Sequence, residues 1–127
     1  MAAWSADELQ RLSEAEEVRV AARRSDGSLR RPVVIWIVRV DDRLFVRSVR
    51  GPAGAWYQAA TRTHDGHLSG GGLESDVRFV GGDRAIDEAV DAAYRSKYGT
   101  SSALGTVLTD GARATTTELV PVIRSAA

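Results

Sequence analysis

Hydroxyl, guanidinium and aromatic groups crowd into one stretch of this chain, LFVRSVRGPAGAWYQAA, from Leu44 to Ala60. Side chains alternate along an extended strand, so Leu44, Val46, Ser48 and Arg50 are expected on one face and Phe45, Arg47 and Val49 on the other. Ser48 and Arg50 then project together near the strand end, a neutral donor beside a charged fork. That pair suits an anionic oxygen. Gly51 would let a ligand approach the backbone closely, and Trp56 and Tyr57 offer flat area for stacking. The same residues also read as an ordinary strand end, with Arg50 solvated, Ser48 incidental and Trp56 in the core. The residues alone leave both readings open.

Two further clusters carry less. ARRSDGSLRRP, Ala22 to Pro32, gathers Arg23, Arg24, Arg30 and Arg31 around a turn, and such a group is usually a solvated surface. His64 and His67 flank Asp65-Gly66, but no third ligand stands at a convincing spacing, so no metal site is expected. A Ser-His-Asp triad is compatible with the composition, yet no nucleophile-elbow motif occurs, and SGGGLE has neither a dinucleotide-loop nor a Walker spacing. Lys97 near a helix end complements the helix dipole without needing a further purpose. Catalytic side chains therefore remain unknown from the residues.

The elements that must position these groups follow from the pattern. Ser5 and Glu8 have capping-box spacing, opening a short helix with Leu9 and Leu12, and Trp4 can staple it to the body. Val18, Val20 and Ala22 alternate as a half-buried strand, ended by the turn at Asp26-Gly27. RPVVIWIVRV is apolar on both faces and predicts a central strand covered on both sides. Asp41 and Asp42 turn it into LFVRSVR, giving a hairpin of Val33–Val40 with Leu44–Arg50. AWYQAATRT predicts a short helix, HDGHLSGGG a loop with at most a brief strand, and LESDVRFV a strand. In the longest helix, capped by Asp83 and closed by Gly99, the residues Ile86, Val90, Ala93, Tyr94 and Lys97 form one stripe. ATTTELVPVI, Ala114 to Ile123, predicts a last strand. Five or six short strands and one helix of real length suit a small β-barrel with helices laid against it.

At 127 residues the chain reads as one domain, 1–127, able to bury a core without staples. Its 17 basic and 17 acidic residues balance, which argues against nucleic acid as a partner. No cysteine is present, so disulfide scaffolds, thiolate zinc sites and cysteine nucleophiles are excluded. MAAWSADELQ lacks the basic and apolar regions of a secretory signal, and the run from Pro32 to Val38 is too short to span a membrane. A soluble, cytoplasmic protein with no membrane partner is expected.

Taken in order, RRSDGSLRRPVVIWIVRVDDRLFVRSVRGPAGAWYQAA, GGLESDVRFV, IDEAVDAAYRSKYG and ATTTELVPV resemble a bacterial family catalogued as domain of unknown function 2255. The resemblance runs from Trp4 to Pro121. That family is distantly similar to split-barrel flavin and deazaflavin reductases. It implies an α+β, mainly β fold: a small antiparallel split β-barrel of the FMN-binding type with flanking helices. In those reductases an R-x-S-G turn followed by Arg and Pro precedes the paired strands. RRSDGSLRRP is similar, with Asp26 inserted, and brings in Arg30. Ser48, Gly51, Trp56 and Tyr57 match a cofactor-phosphate pattern, whereas Gln58-Ala59 replaces the usual Asn-Leu and Arg50 stands where a small residue is common. The resemblance thus implies FMN or a deazaflavin coenzyme held by Arg30, Ser48, Arg50, Gly51, Trp56 and Tyr57. It further implies oxidoreductase chemistry of the nitroreductase-like hydride-transfer kind, and a homodimer with the groove at its interface. The alternative is a non-catalytic small-molecule-binding or dimeric scaffold protein that has lost the cofactor.

Overall fold

The computed structural model describes residues 3–122, so Ile123, the end of the expected last strand, lies outside the described residues. In chain order the elements are α1 (Ala6–Glu14), β1 (Val18–Ala22), β2 (Val33–Ile35), β3 (Val38–Val40), β4 (Arg43–Val46), α2 (Ala55–Thr63), β5 (Asp65–Gly70), β6 (Leu73–Gly81), α3 (Asp87–Tyr98), α4 (Asp110–Arg113) and β7 (Thr117–Pro121). All seven strands pair antiparallel in the order β2-β1-β5-β6-β7-β4-β3. The two ends of that sheet, β2 and β3, are joined by Trp36 and Ile37 alone. The sheet must therefore curl until its ends nearly meet, giving a half-barrel with helices around it.

The expected hairpin of Val33–Val40 with Leu44–Arg50 is found only in its inner part. β3 pairs with β4 (Val38↔Phe45, Val40↔Arg43) around Asp41, while β2 pairs instead with β1 (Val18↔Ile35). The predicted central strand is thus two strands at opposite edges of the sheet. Its apolar faces divide accordingly. Ile37 joins the barrel core with Leu44 and Val46, and Val38 and Phe45 face a second core made with Val90, Tyr94 and Tyr98 of α3. Val33 and Val34 are exposed, at 38% and 48%. Periodicity cannot distinguish an apolar run that changes partners at a kink from one continuous buried strand.

A second correction concerns HDGHLSGGG, which forms the full strand β5 rather than a loop. Gly71 and Gly72, at φ 58° and 80°, make the tight turn that pairs it with β6. The strand looks unpromising because Gly66 stands where a side chain would pack. A Cβ there would lie 2.4 Å from the Ala21 carbonyl oxygen and 2.5 Å from the Phe79 ring, so the position is filled from above. The described residues consequently form seven strands, against the five or six expected.

The N-terminal reading holds. The Ser5 hydroxyl accepts from the Glu8 amide at 3.1 Å, the Glu8 carboxylate accepts from the Ser5 amide at 2.8 Å, and the Trp4 indole donates to the Leu119 carbonyl at 2.9 Å. Asp83 caps a single 3-10 turn (Arg84–Ile86) that leads into α3, and Val90 and Tyr94 are buried as the stripe requires. Lys97 does more than complement a dipole. Its ammonium donates to the Ile37 carbonyl at 2.7 Å, satisfying a backbone group that the kink leaves without a strand partner.

Burial lowers the Lys97 pKa from 10.5 to about 8. Between those values the unfolded chain holds a proton that the folded chain has released, so stability rises as pH climbs through that window. Tyr98, raised by burial from 10.0 to about 12, acts oppositely above pH 10. Chemical denaturation should therefore show stability rising between about pH 8 and 10, and Lys97→Met should flatten that rise.

Candidate functional site

β4 stops at Val46, and the next residues turn inward. Arg47 is 1% exposed, as is Ser48, so a cation sits in the wall of the fold. Such a charge is tolerable only if its donors are met. The Arg47 Nε donates to Thr116 Oγ1 at 2.9 Å. Its Nη1 donates to Asp91 Oδ1 at 2.5 Å and to the Val107 carbonyl at 2.9 Å, and its Nη2 to the Asp87 carbonyl at 3.2 Å. The guanidinium also lies 5.5 Å from the centre of the Tyr94 ring. Asp91, itself buried, accepts a second short bond from Arg113. Burial raises the Asp91 carboxyl, but the hydrogen bonds and charges of Arg47 and Arg113 outweigh it and hold the pKa below its usual value. Burial pushes Tyr94 above the ordinary tyrosine range, so its hydroxyl stays neutral.

Against this anchored wall lies a cleft of about 460 Å³. Its lining comes from β2 and Trp36 on one side, Arg47 to Arg50 on another, and the start of α2 with Ala103, Thr106 and Val107 on the rest. The volume is that of a small-molecule site. Ser48, Arg50 and Trp56 line it together. Their convergence does not arise from strand alternation, since the strand has ended before Arg47. Arg50 is exposed at the head of a 3-10 turn (Gly51–Ala53), and Ser48 is held by its amide, which donates to Thr115 Oγ1 at 2.8 Å. The Ser48 hydroxyl has no hydrogen-bond partner among the described residues, so it is free to donate.

The other expected site residues are placed differently. Gly51 is buried, and its φ of 65° serves the turn, with the Gly111 backbone 3.3 Å from where a Cβ would stand. The close approach inside the cleft falls to Gly54, where a Cβ would be 2.2 Å from Ser48 Oγ. Tyr57 is half-buried and meets Trp56 edge to face, ring centres 6.0 Å apart. Arg30 is outside the cleft lining, its amide donating to the Ala22 carbonyl at 2.9 Å. Sequence reasoning missed Arg47, Trp36 and Glu17, all of which line the cleft. The one available signal was Asp91, an acid adjoining Val90 on the apolar side of α3.

His67 hydrogen-bonds Asp76 and Glu74, each at 3.2 Å, and Asp76 also takes Arg23 at 2.6 Å. The histidine contacts are cross-strand pairs on the β5–β6 hairpin, and Arg23 reaches Asp76 from just past the end of β1. Among the described residues no cluster of three His, Asp or Glu side chains is arranged to hold a metal ion. No helix among them is long and apolar enough to cross a membrane.

Residues 8–119 match the family described as "Uncharacterized protein conserved in bacteria (DUF2255)". The chain belongs to that family. No curated protein matches it. Solved structures do. HutZ, the heme storage protein from Vibrio cholerae, aligns with a TM-score of 0.60 at 9% identity, over 91% of this chain and 87% of its own. An F420 reductase gives 0.56 at 15% identity, over 90% and 92%. An FAD-binding protein from Mesorhizobium loti gives 0.55 at 17% identity, over 96% and 91%. At such identities the likeness shows the fold, a split β-barrel with flanking helices.

Removing Arg47 would leave the buried Asp91 carboxylate with Arg113 as its remaining cationic partner. Arg47→Ala should cost about 3–5 kcal/mol of stability, the range for breaking a buried ion pair. Urea denaturation at neutral pH measures it, and a loss under about 1 kcal/mol would show that the network contributes little.

Proposed function

We propose that the cleft binds a flavin- or deazaflavin-type cofactor and that the protein is an oxidoreductase working through it. The observation that carries this reading is the meeting of a free Ser48 hydroxyl, the Arg50 guanidinium and the Trp56 ring on one cleft of about 460 Å³. A cofactor of this class needs a phosphate anchor, a flat apolar slot and protection from water. Ser48 and Arg50 supply the anchor, one as a neutral donor and the other as a fork with charge. Arg47 cannot serve as the primary anchor because its donors are already engaged by Asp91, Thr116 and backbone carbonyls. It reinforces the anchor indirectly, by holding the Arg47–Ser48 segment in place.

When bound, the cofactor supplies hydride-transfer chemistry. The chain's own task is then to bind, orient and shield, so no side-chain acid or base is required. The solved structures with this fold include an F420 reductase and an FAD-binding protein, which supports the cofactor class. A second reading is a non-catalytic binding protein, favoured by the likeness to a heme storage protein.

Three of the exposed large apolar side chains, Val33, Val34 and Val49 (60% exposed), sit at this cleft. An apolar rim of this kind is a surface that association would cover. We infer a homodimer with the cleft beside its interface. Light scattering at micromolar concentration should give twice the chain mass, and a monomer mass would overturn the inference.

A thermal-shift panel of flavin mononucleotide, flavin adenine dinucleotide, the deazaflavin coenzyme and heme tests the reading of the site. A ligand that binds only the folded state raises the melting point, by about 2.7 kcal/mol of stability at a hundredfold excess over Kd. One of the flavin-type ligands should do so, and Arg50→Ala should weaken it by about 1.5–3 kcal/mol without lowering the melting point of the free protein. A shift with heme alone would favour the binding-protein reading. Equal affinity in Arg50→Ala would remove the anchor.

A further inference from the structure

Trp36 belongs to neither the anion-binding pair nor the Trp56-Tyr57 motif, yet it is among the most firmly held side chains of the cleft. One face of its indole lies flat on Tyr98, ring centres 4.0 Å apart and planes within 3°. Tyr98 is fixed in turn. Its hydroxyl donates to the Glu16 carbonyl at 2.6 Å and accepts from the Ile37 amide at 3.4 Å, and the Lys97 ammonium stands 5.1 Å from its ring centre. The last turn of α3 therefore locks both the kink and the indole beside it. The rest of Trp36 remains half-buried on the cleft lining, where Trp56 also lies. Trp56 is braced by Tyr57 and by Phe79, 6.4 Å away.

Trp36 also packs against the second core, yet part of it stays on the cleft lining rather than closing into that core. Two immobilised aromatic rings on one cleft favour a flat ligand, because rigid rings lose little freedom on binding and gain stacking contact. Glu17 adds direction. β1 and β2 pair through Val18↔Ile35, and carrying that antiparallel register one residue further sets Glu17 across from Trp36. Glu17 is also on the cleft lining, and a carboxylate turned inward from there would accept an N–H from a ring edge and repel a ring bearing negative charge.

We propose that Trp36, backed by Tyr98, is the platform on which the ligand's ring stacks, and that it restricts the cleft to planar aromatic molecules. The proposal rests on the reading of the cleft as a cofactor site but is separable from it. Two probes serve, flavin mononucleotide and naphthalene-2-sulfonate, a flat aromatic with an anionic substituent and no redox role. Trp36→Leu should weaken both by about tenfold or more, the size of one stack on an aromatic side chain. Trp36→Phe, which keeps a ring against Tyr98, should retain most of the affinity but lose part of the quenching of flavin fluorescence, because indole donates the quenching electron and phenyl does not. Should Trp36→Leu fail to fold, Trp36→Phe with retained affinity and reduced quenching supports the platform, and unchanged quenching overturns it. Binding of the sulfonate alone, still dependent on Trp36, upholds the platform and removes the flavin reading. Binding of either probe with no dependence on Trp36 overturns the platform and leaves the cofactor reading standing. Binding of neither probe overturns both.

Discussion

A guanidinium with no water around it sets the terms for this molecule. Arg47 emerges from the end of β4 and is met by Asp91 of α3, by Thr116 on the approach to β7, and by the Val107 carbonyl. An isolated buried charge would cost several kcal/mol, so these elements must be in place together or the arrangement fails. The helix packed outside the sheet, the strand that ends at the cleft and the turn that floors it are thus tied at one point. Asp91 is shared with Arg113, which brings the short helix α4 into the same network. Stability and site geometry are coupled here because the same backbone segment that carries Arg47 carries Ser48.

The second constraint is closure. A seven-stranded sheet whose edge strands are consecutive in the chain has to pass through a bend, and the bend has backbone groups that no strand can pair. Tyr98 and Lys97 answer for them at Ile37. A polar tip on a long side chain reaching from a helix can satisfy a kink in a way that a sheet ladder cannot. The consequence is that α3 governs both walls of the cleft, through Arg47 on one and Trp36 on the other. The exposed valines of β2 follow from the same bend, since β2 turns away from the helix that covers β3.

Much of the architecture was legible in local residue patterns. The capping box at Ser5, the Asp41 turn, the stripe through Val90 and Tyr94 and a last strand within Ala114–Ile123, formed at Thr117–Pro121, each depend on neighbours a few positions apart, and such neighbours are visible in one dimension. So was the membership of a bacterial family, carried by motifs strung in order along the chain, and with it the split barrel. The pairing of Ser48 with Arg50 was reached by an argument that the structure does not follow, because the strand stops at Val46. They nevertheless line one cleft, by way of a turn rather than a pleat.

What tertiary structure alone decided is where partners come from. Nothing near Arg47 in sequence announces a buried cation, because Asp91 lies 44 residues away and Thr116 lies 69. β5 could not be read as a strand because Gly66 is filled by Phe79 from the neighbouring strand. Trp36 could not be told from any other core aromatic until Tyr98, across the fold, covered one of its faces. Composition and spacing determined most of the elements, since those depend on local backbone preference and on the period of burial. Which side chains share a cavity depends on long-range contacts whose loop-closure cost is met only when the whole sheet curls, and no single segment encodes that.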